Sequence, residues 1–308
     1  MVESARVSPL TLQEAADELG LHYMTVYRYV RTGRLPAERI GSEWRIDAAD
    51  VADIARARSS GARPVGGAKA RGVSAGIGAA SVGPRGADHV GRLVARLLVG
   101  DEPGAWAVVQ AALANGIEPD DLYLHVMGPA MREIGDRWSD GRASVAQEHL
   151  ASAVMQRICG RLGPLFSRPG RTRGTVVLGG PAGEHHALPS VMFGDLLRGC
   201  RLSVSQLGAD TPVSSFVEAA RRADRLVGVA IGCTTSGNEA AVAETVQALH
   251  EAGISPVVVG GRAVESAAAA ERLGADVWAP DGEAGLRLFG DLAVESARRR
   301  RLAKATAR

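Results

Sequence analysis

The chain has 308 residues, enough for two to three domains with apolar cores of their own. Its 36 basic and 34 acidic side chains leave a formal charge of +2, so overall charge does not mark a polyanion binder and local patterning has to make that case. Cys159, Cys200 and Cys233 lie too far apart for a C-x-x-C zinc site or a paired framework, and no leader-like opening or bilayer-length apolar run is seen, so a cytoplasmic protein without a membrane partner is expected.

Thr11 and Glu14 have the spacing of a capping box, which predicts a short amphipathic helix ending at Gly20. A second helix follows to about Arg31, with Val26, Val30 and either Leu21 or Met24 facing a core and Tyr23, Thr25, Tyr27, Arg28 and Arg31 facing outward. Two short helices joined at a glycine form a helix-turn-helix, whose second helix is placed for the major groove. Residues 39–46 read as a hairpin or wing, and a helix from Asp47 to about Arg58 completes a head of residues 1–58. This order resembles the winged helix-turn-helix of the MerR and excisionase-like families. The resemblance implies a DNA operator as partner, with Thr25, Tyr27, Arg28, Arg31 and Arg45 as phosphate or base contacts. A helical protein-interaction module with solvated arginines is the competing reading. The basic run of Arg28, Arg31 and Arg34, set apart from the acids Glu14, Asp17 and Glu18, favours DNA.

Residues 59–87 are rich in Gly, Ala and Ser and show no sustained period, so they cannot bury enough apolar surface to offset ordering; a flexible tether is expected. From 88 to 166 the apolar spacing is helical throughout, with Leu93, Val94, Leu97, then Val109 and Leu113, then Leu122 to Ile134, then Ser144 to Leu162. Four such helices with short breaks predict a four-helix bundle. At the junction of its third and fourth helices stand Trp138, nine further residues, and Glu148-His149. Trp138 taken alone reads as core packing.

From 174 to 308, β-branched runs at 176–178, 201–207, 226–231, 256–259 and 275–279 alternate with helical segments, which predicts a Rossmann-like, doubly wound parallel sheet. The segments Gly208 to Thr211, Cys233 to Asn238 and Gly260 to Arg262 read as small or polar loops at strand ends. The loop after the first strand carries Glu184, His185 and His186. Ligands of open sheets sit outside the carboxyl ends of strands, where this loop lies. A carboxylate two residues from a histidine can hold one ring nitrogen while the other binds a metal, which favours His186, with His185 as a rival by position. Arg298 to Arg301 read as a solvated helix terminus.

Glu184-x-His186-x-x-Pro189, Ser205-x-Leu207 and Gly260-Gly261 resemble the acid-x-His-x-x-Gly, Ser-x-Leu and Gly-Gly series of cobalamin-binding Rossmann-like domains. The resemblance implies that His186 ligates cobalt in place of the cofactor's own benzimidazole and that Ser205, Leu207, Thr234, Gly260 and Gly261 line the channel of the displaced nucleotide tail. Pro189 departs from the family's glycine and reduces backbone freedom there. Ordinary turn chemistry is the alternative for Thr234 and Gly260.

Trp138-x9-Glu148-His149, together with the three-domain order, resembles the CarH/LitR family of light-responsive MerR-type repressors that use adenosylcobalamin. This resemblance implies that Trp138, Val145, Glu148 and His149 lie above the corrin. It also implies a non-enzymatic homo-oligomer, dimer or tetramer, whose assembly and DNA binding change on photolysis. Ser139 stands where members of that family can carry a histidine that captures cobalt after photolysis, and a hydroxyl is a poor substitute for imidazole. The alternative within the same class is a sensor of cobalamin, or of cobalamin plus a bilin for which no motif speaks, that regulates without bis-histidine photochemistry. A corrinoid carrier or enzyme would use the same bundle-plus-sheet pair, and the DNA-binding head argues against it.

Overall fold

The structure, a computed structural model, describes residues 9–19, 21, 26, 29–30, 35–40, 43–59 and 84–306. The chain divides into two units, residues 1–80 and 81–308.

In the first unit, α1 (Leu12–Leu19) begins with the predicted capping box: the Glu14 amide donates to Thr11 Oγ1 at 3.2 Å and the Thr11 amide to Glu14 Oε2 at 2.7 Å. The wing is a hairpin of β1 (Glu38–Ile40) and β2 (Glu43–Arg45), antiparallel, and α2 (Ala48–Ser59) closes the unit. Leu12, Ala15, Ala16, Leu19, Val26, Val30, Leu35 and Ile46 are all buried, so the apolar periodicity of both predicted helices finds one core. Thr25, Tyr27, Arg28 and Arg31 lie outside the described residues, as do residues 60–83 of the stretch expected to be a tether; residues 84–87 of that stretch are instead the first turn of the helix that opens the bundle.

The second unit begins with the bundle: α3 (Pro84–Leu98), α4 (Glu102–Ala114), a composite third helix and α7 (Val145–Leu162). The third helix is α5 (Pro119–Leu122), a π-helical turn (Tyr123–Met127) and α6 (Gly128–Ser139). Pro129 lacks the amide that would continue the ladder, and the wider turn before it absorbs the mismatch, with the Gly128 amide reaching back to the Tyr123 carbonyl. A reciprocal Ser144–Gln147 capping box starts α7.

The sheet follows as β3 (Thr175–Pro181), α8 (Leu188–Gly199), β4 (Ser203–Thr211), α9 (Val213–Arg222), β5 (Leu226–Gly232), α10 (Glu239–Glu251), β6 (Val257–Gly260), α11 (Ala267–Arg272), β7 (Val277–Ala279) and α12 (Gly282–Thr306). Its order is β4-β3-β5-β6-β7, all parallel, the doubly wound order in which the chain turns back between β3 and β5. Alternate residues face opposite layers: Val177, Val229, Ile231 and Val259 pack with Phe216 and Val246, whereas Val176, Leu178, Val227 and Val258 pack with Leu197 and Phe289. One expectation is corrected. Gly208 to Thr211 is not a loop but the end of β4, because Gly208 and Thr211 still pair with Gly179 and Pro181 across register shifts in β3.

Helix α8 belongs to two cores. Leu188 and Leu196 join the bundle's cluster with Met155, Ile158 and Phe166, while Leu197 packs toward the sheet. A buried bond from Tyr123 Oη to Asp195 Oδ2 at 2.9 Å ties the π turn to the same helix. The bundle and sheet are therefore packed as one body along α8.

Candidate cofactor site

The loops after β3 and β5 meet where the sheet reverses its winding, the place where an open sheet leaves a crevice for ligands. Glu184, only 1% exposed, sits at this crevice and is surrounded by donors. Its Oε1 accepts from the His186 amide at 2.9 Å and lies 2.7 Å from His186 Nδ1, and Thr235 Oγ1 adds a bond at 3.2 Å. Its Oε2 accepts from the Thr235 amide at 2.8 Å and from the Thr234 amide. Burial pushes this carboxyl up, but the bonds from His186, Thr235 and Thr234 outweigh it and hold the acid at about 2.

An ionised, buried carboxylate beside Nδ1 selects the tautomer in which that nitrogen carries the proton. The bond to Glu184 raises the basicity of the His186 ring, burial opposes it, and the charges of Glu184 and Glu148 reinforce it. Nε2 has no hydrogen-bond partner among the described residues, and the side chain is 49% exposed. The neighbouring His185 is exposed and takes no part in the network, so the structure distinguishes the two rings as the acid-x-His spacing does. Pro189 falls in the first turn of α8, where a missing amide is no loss.

Among the described residues, no cluster of three or more His, Cys, Asp or Glu side chains could hold a bare metal ion. One open imidazole nitrogen suits instead a metal that brings its own equatorial ligands, as the cobalt of a corrin does, and on that chemistry the residues present fit the group. Cys233 offers no rival thiolate: burial, with the charges of Glu184 and Glu239, pushes its thiol up to about 12.

The bundle comes over the same end of the sheet. Asp136 on α6 pairs with Arg262 in the loop after β6 at 2.7 Å, and the Glu148 charge is felt at His186. Glu148 accepts from Ser152 Oγ at 2.7 Å and is largely shielded, with 23% of its side chain exposed. Trp138, in the last turn of α6, and Val145, in the first turn of α7, are both half-buried. His149 is 74% exposed, its Nε2 lying 3.7 Å from Glu148. Ser139 turns its hydroxyl back to the Asp136 carbonyl at 3.0 Å and so caps α6.

The other residues read from the sequence are placed in the fold as follows. Ser205 pairs with Val177 in the middle of β4, and Leu207 packs against Gly179, both on the edge strand. Gly260 and Gly261 are required by the fold itself: a Cβ on the first would lie 2.7 Å from the Ala279 carbonyl, and on the second 2.3 Å from that of Cys233, where φ is +105°. Arg45, half-buried on β2, lends its charge to Glu14 within the head. Sequence reasoning passed over Thr235, whose hydroxyl also lies 3.1 Å from His186 Nδ1, and Asp210. Thr235 had only its neighbour Thr234 as a signal, and Asp210 was hidden in what read as a loop.

Three family models match the chain: a helix-turn-helix domain over residues 9–59 and two B12 binding domains, over 90–162 and 174–289. Trimethylamine corrinoid protein 1 of Methanosarcina acetivorans is 30% identical over 186 residues, covering 58% of this chain and 84% of that protein. The HTH-type transcriptional repressor CarH of Myxococcus xanthus is 31% identical over 185 residues, covering 58% of this chain and 59% of that one. In fold, the monomethylamine corrinoid protein of Methanosarcina barkeri superimposes with a TM-score of 0.60 at 16% identity, over 67% of this chain and 99% of the other.

Proposed function

The chain belongs to the B12-binding corrinoid protein family, and on that premise we propose that it is a cobalamin-dependent, light-responsive repressor rather than an enzyme. One observation carries the cofactor assignment: a single imidazole whose Nδ1 is held by a buried, ionised carboxylate and whose Nε2 is open at the sheet's switch point. His186 would hold cobalt through that nitrogen, with Glu184 and Thr235 fixing the ring. Thr234, Gly260 and Gly261 would border the nucleotide tail, and Ser205 and Leu207 would meet it only if it extends along the edge strand. Trp138, Val145, Glu148 and His149 would form the opposite face, with Glu148 shielded well enough to bond an adenosyl hydroxyl.

Adenosylcobalamin, when bound, would supply a light-sensitive cobalt–carbon bond. Trp138 and Glu148 would then repack, and a ligand that favours one packing shifts assembly by its differential affinity. Several heads in one homo-oligomer hold an operator far more tightly than one, so a change of assembly becomes a change of DNA binding. Thr25, Tyr27, Arg28, Arg31 and Arg45 remain the proposed contacts to DNA. With Ser139 committed to capping α6, capture of cobalt by a second histidine at that position is not part of this mechanism.

A second reading, a corrinoid carrier serving a methyltransferase, is favoured by the likeness to the methylamine corrinoid proteins, and the helix-turn-helix head weighs against it. Purification in the dark with adenosylcobalamin, followed by absorption spectra, size measurement and duplex DNA retention before and after green light, separates the two. The regulator reading expects a light-driven change in both size and retention. Binding of cobalamin with neither change would favour the carrier, and failure to bind cobalamin in the dark would end both.

A further inference from the structure

We infer that Asp210 is a positioning residue for His186, holding the Glu184 loop from the edge strand; the inference rests on the cobalamin reading above. Strand β4 runs to Thr211, and near its end Asp210 takes a left-handed backbone with φ of 49°. Non-glycine residues rarely adopt that conformation, and Asp tolerates it better than most.

At Asp210 the conformation brings two groups to bear on one short turn, Gly183 to Glu184. Asp210 Oδ1 accepts from the Gly183 amide at 2.8 Å, and the Asp210 amide donates to the Glu184 carbonyl at 2.7 Å. The Glu184 amide in turn donates to the Pro181 carbonyl at 3.0 Å. The backbone of Glu184 is thus anchored to β4 while its carboxylate is anchored to the β5 loop through Thr234 and Thr235. Strand β3 lies between these two neighbours, so Glu184 is held from both sides at once. Asp210 touches neither ring nitrogen of His186. It acts through Glu184, by keeping the carboxylate and the imidazole in register.

The test loads full-length wild type, Asp210→Gly, Asp210→Asn and His186→Ala, each carrying nitrogen-15 histidine, with cob(II)alamin, so that a protein imidazole gives a doublet splitting and the cofactor's own benzimidazole a triplet. It reads the axial-nitrogen splitting in the electron paramagnetic resonance spectrum, the affinity by absorption titration, and the unfolding temperature without cobalamin. Asp210→Gly keeps a relaxed left-handed backbone and removes only the side-chain acceptor, so it separates the acceptor from backbone strain. The expected result is a reduced histidine-bound fraction and about tenfold weaker binding in Asp210→Gly, as for other residues supporting a metal ligand, with near wild-type behaviour in Asp210→Asn, whose amide oxygen still accepts. Wild-type splitting and affinity in Asp210→Gly would overturn the role, as would Asp210→Asn and Asp210→Gly being equally impaired. A benzimidazole triplet in wild type, unchanged by His186→Ala, would instead bring down the cobalamin reading and this inference with it.

Discussion

Glu184 is the residue on which the site's geometry turns. A buried carboxylate is tolerated only when its lone pairs are met, and here two backbone amides of the β5 loop, the His186 amide, the Thr235 hydroxyl and the imidazole meet them. Glu184→Gln would turn an amide donor toward groups that are themselves donors. We expect cobalamin affinity to fall about 10- to 100-fold in that variant, read by absorption titration. Thr235→Val removes a hydroxyl and leaves the amide bond to Glu184, so its loss should be the smaller of the two in the same titration.

Whole elements are set by fewer contacts than their length suggests. The Ser144–Gln147 box starts α7, the helix that carries Val145, Glu148 and His149. Ser144→Ala should cost about 1 kcal/mol in urea unfolding, the usual worth of such a cap. At the other end of the sheet, Asp276 joins β6, β7 and α10, accepting from the Val257 amide at 2.6 Å and from Ser255 at 3.1 Å, with His250 Nε2 at 3.0 Å. Burial pushes its pKa up, but the Val257 amide, His250 and Ser255 outweigh burial and bring it below the ordinary 3.8. A lowered folded value means stability that is fully present above about pH 3.8 and lost as pH falls through the lower folded value. Denaturant titrations down to pH 3 should therefore show a steeper acid decline in wild type than in Asp276→Asn, and equal slopes would remove Asp276 from the account.

Across the molecule, α8 makes bundle and sheet one body, with apolar contacts on both its sides and the Tyr123–Asp195 bond between them. A ligand held between His186 on one domain and the α6–α7 corner on the other would stabilise both together. Saturation at about 100 times the dissociation constant should add about 2.7 kcal/mol to the stability of this unit, seen as a raised unfolding temperature that His186→Ala abolishes. A ligand-induced rise retained in His186→Ala would place the binding energy elsewhere.

The alternation of strands and helices, the Thr11–Glu14 capping box and the Glu184–His186 contact were legible in the sequence, because each depends on residues close together along the chain. Register and pairing were not. Only the folded sheet shows that 208–211 continues β4, that Ser205 sits mid-strand, that Gly260 and Gly261 answer to Ala279 and Cys233, and that Thr235 and Asp210 grip Glu184 from opposite neighbours of β3. Those contacts join residues about 20 to 50 positions apart, and long-range pairing is decided by which strands lie side by side, a matter of tertiary packing that local propensity does not encode.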